Sequence, residues 1–416
     1  MNELTEHQFR DPAIAAMAEA AKAIGAQMSS TMASGPAQGT SVGRSQPQTT
    51  AEKSGGPFIR HTQPGNLPQY ISSGNAFGGL IQQPLVARPG YYRDFRLLFY
   101  ATGGVNGSVT VAATTDAPYN VASLIQFKDP FGTLIFSVPS YEAFLVHLHS
   151  SGAGIGLGNS AVPANLPSYS AISTGASGTG NFTWTLTLPL EFAKGVGTAP
   201  GANASLQPTL QVQLNPSSSL FSTAPGTLPT VALDVESDFY WLPEGIEIAP
   251  PALGTSRQWI LQQANPTITS GGNQRVAFPR LGGFLDTLII ELRDSTNARV
   301  DAFPGGTANT NRFVLYIDGV PIEDSPMWKL YDDYFMAFRG NTRPTGVYVF
   351  TRKTSLSQQT EGLLDTGEAT LSTNPGTLIE IAGNPWGTIS NAPAVVNVVA
   401  GQIVPRGRMV TGLPEV

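Results

Sequence analysis

The feature that most constrains this chain is a stretch that occurs twice. Leu124–Leu148 reads LIQFKDPFGTLIFSVPSYEAFLVHL, and Phe313–Phe338 reads FVLYIDGVPIEDSPMWKLYDDYFMAF. Each copy begins as a short apolar strand and breaks at an acidic turn, Asp129-Pro130 or Asp318-Gly319. Each then enters an aromatic segment of helical character, Tyr141–Leu145 or Tyr331–Phe335. Asp129 and Asp318 stand 189 residues apart, and Tyr141 and Tyr331 stand 190 apart. Self-similarity at one spacing marks a structural unit used twice.

Two more matches occur in the same order. Pro84–Phe99 faces Gln274–Ile290, with Val86-Ala87 opposite Val276-Ala277, again 190 apart. Pro229–Gly245 faces Pro393–Gly407, and there Pro243 and Pro405 are only 162 apart. The second copy is shorter, and its missing residues fall opposite the loop-rich region 150–230. The chain of 416 residues is long enough for two domains of ordinary size.

Local patterns within the units are those of strands. In Phe182-Thr-Trp184-Thr-Leu186-Thr-Leu188 the apolar residues alternate strictly with threonine, which places one face in a core and the other toward solvent. Leu210-Gln-Val212-Gln-Leu214 repeats the pattern, and Val231–Val235 is a third strand. Arg93–Tyr100 and Ser108–Ala113 read as strands joined by a turn over Gly103–Gly107, whereas Gln63–Gly79, with Pro64 and Pro68, reads as irregular. Pro250-Pro251 marks a joint between the halves. The 45 glycines and 33 prolines supply the dihedrals that many tight turns require.

Near the N-terminus, Asp11 and Pro12 open a helix over about residues 12–28. Ile14, Met17, Ala21, Ile24 and Met28 give it one apolar stripe, suited either to its own domain or to a neighbour or lipid surface. Residues 29–56 are a Ser/Gly/Thr/Gln/Pro linker. Expected limits are therefore an arm at 1–75, a first domain at 76–250 and a second at 251–416.

Charge and cysteine narrow the function. Charged residues make up 12% of the chain, about half the usual share, and interface cores are depleted in charge in this way. The net charge is −6, and residues 1–56 carry Arg10, Lys22, Arg44 and Lys53 against Glu3, Glu6, Asp11, Glu19 and Glu52. An arm of that balance does not neutralise phosphates, so direct nucleic-acid binding is not expected. Cysteine is absent, which removes disulfides and thiolate chemistry. No signal-peptide pattern and no apolar run long enough to span a bilayer is visible.

Catalytic and metal constellations are weak. His147-Leu-His149 would share a face on a strand, but no carboxylate follows, and the second copy has Ala337 and Arg339 there. Asp129, Glu323-Asp324 and Asp332-Asp333 could supply the paired carboxylates of a glycan hydrolase. The alternative for Asp129 and for Asp318 is turn initiation. The glycine run at 152–158 lacks a following capped helix and is a loop. The aromatic rows Tyr91, Tyr92, Phe95, Phe99 and Tyr331, Tyr334, Phe335, Phe338 could stack sugars or fill a core. No catalytic, cofactor-binding or metal-binding residue is assigned, and no cofactor is expected.

Many short strands, long connections and one aromatic segment per unit describe an all-β sandwich, built at this size as an eight-stranded jelly roll. Two in tandem, behind an N-terminal helical arm, make a double jelly roll. In this order of features the chain resembles the double jelly-roll major capsid proteins of tailless, membrane-containing phages (tectivirus-like, in the adenovirus hexon lineage). The residues that carry the resemblance are Leu124–Phe127 into Asp129-Pro130, the aromatic segment to His149, Trp184–Leu188 with Pro189–Phe192, Leu210–Leu214 and Val231–Leu242. The resemblance implies a homotrimer whose six lobes tile an icosahedral shell. It also implies contacts with neighbouring trimers, a vertex (penton) protein and minor capsid proteins, and contact of the N-terminal helix with an internal membrane. Such a protein is made in the host cytoplasm, resides in the virion and is not an enzyme. The alternative is a two-domain β-sandwich carbohydrate-binding protein or glycan hydrolase.

Overall fold

Strand order shows how the repeat is built. In the first half β1 (Gln63–Asn75), β2 (Leu80–Pro84), β3 (Gly90–Thr102), β4 (Ala112–Ala113), β5 (Ala122–Lys128) and β6 (Leu134–Val138) precede the helix α1 (Ser140–Ser150). After it come β7 (Phe182–Pro189), β8 (Ala199–Pro200), β9 (Thr209–Leu214), β10 (Phe221–Thr223) and β11 (Thr230–Trp241). The second half holds β12 (Thr255–Ala264), β13 (Arg275–Phe278), β14 (Gly283–Arg293), β15 (Arg312–Ile317) and β16 (Val320–Pro326). It ends with β17 (Val347–Thr351), β18 (Leu371–Thr373), β19 (Ile379–Asn384) and β20 (Val395–Pro405). The computed structural model describes residues 62–150, 168–191, 198–201, 207–241, 255–266, 274–278, 283–301, 312–326, 328–330, 332, 344–351, 371–373, 378–384 and 395–405. The expected N-terminal helix, the glycine run at 152–158, Asp333 and the second aromatic row lie outside these residues.

Two sheets form each half. The first half pairs β1-β11-β3-β7 in one sheet and β2-β9-β5-β6 in the other. The second pairs β12-β20-β14-β17 and β13-β19-β15-β16. With the short strands β4, β8, β10 and β18 set aside, both halves join their first, last, third and sixth strands, and their second, seventh, fourth and fifth. That order is the jelly roll, and the two rolls share it strand for strand.

The alternating strands pack as their sequences require. Phe182, Trp184, Leu186 and Leu188 are buried while the threonines between them are half-exposed, and Leu210, Val212 and Leu214 point the same way. Tyr92, Phe95 and Phe99 on β3 sit in the first core, with ring centroids of Tyr92 and Phe95 4.9 Å apart and those of Phe95 and Phe127 4.7 Å apart. The first aromatic row is thus core, closed to a stacking sugar. Phe313 and Tyr348 stack at 4.7 Å in the second core.

Four local expectations are corrected. Gln63–Asn75 is not irregular but forms β1, so the first roll begins before residue 76. Its alternation is hidden because it is an edge strand, mostly exposed, and an edge tolerates Pro64 and Pro68. Ser108–Ala113 is strand only at Ala112–Ala113, since Gly107 and Ser108 take φ of 65° and 63° and turn the chain. Val86-Ala87 lies beyond β2 while Val276-Ala277 lies inside β13, so those residues are not equivalent. His147 and His149 are on α1, where residues two apart point to opposite sides.

Candidate functional site: the joint between the rolls

The two rolls are fused through backbone. β6, an edge of the first roll, pairs in parallel with β12, the first strand of the second, at Phe136↔Trp259 and Ser137↔Ile260. One nine-stranded sheet therefore runs through both halves. Trp259 is fully buried and belongs to the first core although it comes from the second roll. Gly401 lies beneath it, and a Cβ there would stand 2.6 Å from the indole ring. Only glycine admits that approach without displacement.

Strand faces divide cleanly at this joint. On β14, β17 and β20 the residues Leu288, Ile290, Leu292, Tyr348, Val396 and Val398 fill the second core. Their alternate neighbours Ile289, Val347 and Val399 join Trp259 in the first. The sheet is thus buried on both faces, which explains apolar runs such as Leu288-Ile-Ile290 that alternate with nothing polar. On the first-roll side, α1 runs from Tyr141 to Leu148 through buried side chains. A helix apolar nearly all round needs cover on more than one side. It lies against β5, β7 and β14.

Polar groups are buried in the same place. Asn397 Nδ2 donates to Glu142 Oε1 and to Glu291 Oε2, both at 3.0 Å, linking α1 to β20 and β14. Arg293 contacts Glu291 and Asp116 at 2.7 Å each, and Arg299 Nε donates to Asp116 Oδ1 at 2.7 Å. Both guanidiniums lie 5.2 Å from the centroid of the Tyr141 ring. Gln263 Nε2 donates to Asn397 Oδ1 at 3.2 Å.

Electrostatics follow from this placement. Burial, with Glu291 alongside, pushes Glu142 up to about 8. Glu291 is also raised by burial, against the pull of Arg293. The pair holds a proton at neutral pH because two adjacent buried carboxylates do not both ionise. Burial works against charge on Arg293, yet Glu291, Asp116 and Glu142 outweigh it and hold the guanidinium charged well above its ordinary range. His147, whose Nδ1 accepts from Thr187 N at 3.2 Å, and His149 are each pushed down to about 4 by burial.

A pH dependence results. Glu142 sits above its ordinary value of 4.5, so its contribution to stability is full below that pH and is lost as pH rises through about 8. The histidines have the opposite sign: their contribution is full above 6.5 and is lost as pH falls through about 4. Glu142→Gln imitates the protonated acid, so its melting temperature should lose the decline that Glu142 gives the parent between pH 6.5 and 8, above the range in which the two histidines titrate. A variant that declines as steeply as the parent would exclude Glu142 as the group responsible.

Elsewhere Asp129, Asp318, Glu323 and Asp324 make structural contacts. Asp129 is buried, and its carboxylate accepts from Phe131 N at 2.9 Å and Thr133 N at 2.8 Å, closing the turn into β6. Asp318 and Gly319, with φ of 50° and 78°, form the two-residue hairpin between β15 and β16, and Asp318 Oδ1 accepts from Leu378 N at 2.8 Å. Glu323 contacts Lys329 at 3.3 Å, and Asp324 contacts Arg312 at 2.6 Å. Asp332 is exposed. Among the described residues no group of three or more metal-ligating side chains occurs. The buried cluster was missed by sequence reasoning, although Glu291 inside an apolar run and Asn397 inside Val395–Val399 were its signals.

Comparison with solved structures decides the architecture. The STIV major capsid protein (Sulfolobus turreted icosahedral virus) superposes with a TM-score of 0.58 at 14% identity, covering 84% of this chain and all of that one. The PBCV-1 capsid gives 0.54 at 12% identity over 82% and 93% of the two chains. The fold is the double jelly roll of viral major capsid proteins. No protein-family model matches the chain, and no curated protein does. In this double jelly roll the joint is a structural connection, built from a parallel strand pair, an interposed helix and a buried ionic cluster.

Proposed function

We propose that this double jelly-roll protein is a major capsid protein that acts by self-assembly, without catalysis. The observation that carries the reading is the edge-to-edge fusion of two equivalent rolls through β6 and β12. It turns one chain into two like lobes joined through one sheet, which is what a tile needs. The low share of charge, 12%, suits surfaces covered by like copies. Three chains form a pseudo-hexameric homotrimer, and trimers tile an icosahedral shell in the virion, over an internal membrane. Vertex and minor capsid proteins complete the shell. The N-terminal arm, which is not basic, reaches toward the membrane, and the protein is made in the host cytoplasm.

Light scattering on the purified protein tests this. A species of three times 43.8 kDa is expected, and a monomer at every concentration would overturn the reading. Removing residues 1–28 should leave trimers intact and stop shell formation. Loss of the trimer instead would make the arm an intersubunit clasp.

A further inference from the structure

Repeating the internal joint leaves two edges over. Inside the chain, the open edge of the first roll's β6 is closed by the first strand of the second roll. The matching edge of the second roll is β16, which among the described residues pairs only with β15. The matching first strand is β1, which among the described residues pairs only with β11. Both free edges carry exposed apolar side chains: Ile71 at 64% on β1, Val320 at 58% and Ile322 at 37% on β16. Edges of this kind template pairing with another chain.

Register places the two edges in correspondence. Glu323 lies opposite Leu315, an inward residue of β15, as Phe136 lies opposite Phe127 on β5. Tyr70 lies opposite Val235 on β11, as Ile260 lies opposite Ala400 on β20, and Val235 and Ala400 face the inward Leu97 and Leu288. Prolines bound both stretches, Pro64 and Pro68 on β1, Pro321 and Pro326 on β16. Without an N–H they limit any added ladder to a few rungs, and β6·β12 itself has only two.

We propose that β16 of one copy receives β1 of the next copy in parallel, so that Gln69–Ile71 meet Glu323–Ser325 and the internal joint is reproduced between chains. The interface is heterologous, and such interfaces make rings when the rotation closes. Three chains then supply six rolls and six joints, three within chains and three between them. This rests on the trimeric capsid reading and names the surface that would make the trimer.

The absence of cysteine makes the test direct. Ile71→Cys and Ile322→Cys both alter exposed side chains, and a short bismaleimide links them only if the two edges meet. The double variant should yield a covalent species of three chains. An equal mixture of the two single variants should stop at two chains, and each single variant alone should yield none. Trimers seen by light scattering without any three-chain product would overturn the joint and leave the capsid reading standing. No trimer at all would overturn both. A single-chain product with both thiols consumed would overturn the joint by showing that the edges meet within one copy.

Discussion

Arg293→Met is expected to lower stability by about 3–5 kcal/mol, the usual effect of removing one partner from a buried ion pair. The side chain is 8% exposed and contacts Glu291 and Asp116 at 2.7 Å each. Met keeps most of the volume, so the loss reports charge left without compensation rather than a cavity. Asp116 retains Arg299, which is 16% exposed, so the uncompensated group is Glu291. Adding Glu291→Leu to Arg293→Met should therefore recover most of the loss, because apolar replacement of a whole buried pair is often neutral. Chemical denaturation measures all three variants. A loss below about 1 kcal/mol for Arg293→Met would mean that the cluster is wet or loosely held.

Trp259→Ala should cost a comparable amount, about 3–5 kcal/mol, by a different mechanism. The indole is fully buried in the first core, yet it is attached to the second roll and sits over Gly401. Its removal leaves a cavity at the strand pair through which the rolls share a sheet. Calorimetry should show one cooperative transition for the parent, and the variant's transition should broaden or split as the rolls lose their coupling. Gly401→Ala approaches the same contact from the other side, where an added Cβ would meet the ring at 2.6 Å. A variant with the parent's single sharp transition and an unchanged midpoint would show that Trp259 does not couple the rolls.

Much of the architecture was legible because jelly-roll strands obey local rules. Phe182–Leu188 alternates with threonine since one face meets a core and the other meets solvent, and that rule acts between chain neighbours. Asp318-Gly319 announces a hairpin because its two residues must take positive φ. The aromatic segment after the first acidic turn is helical, as expected, and the histidine pair belongs to that same helix rather than to a strand. Gln63–Asn75 is not legible as a strand because an edge strand has little burial to impose a pattern and accepts proline.

By itself, then, the sequence determined that two like all-β units follow one another, where their turns fall and which strands have one wet face. Tertiary structure alone decided that β6 and β12 join the units into one sheet, that α1 lies between them, and that Asn397 meets Glu142 across 255 residues of chain. The reason is physical. Turn and alternation preferences depend on the dihedrals and faces of adjacent residues, and these are written in order along the chain. Partners across a joint are set by which faces are buried together, and an apolar run such as Leu288-Ile-Ile290 looks the same whether its second face meets solvent, another chain or the other half of its own.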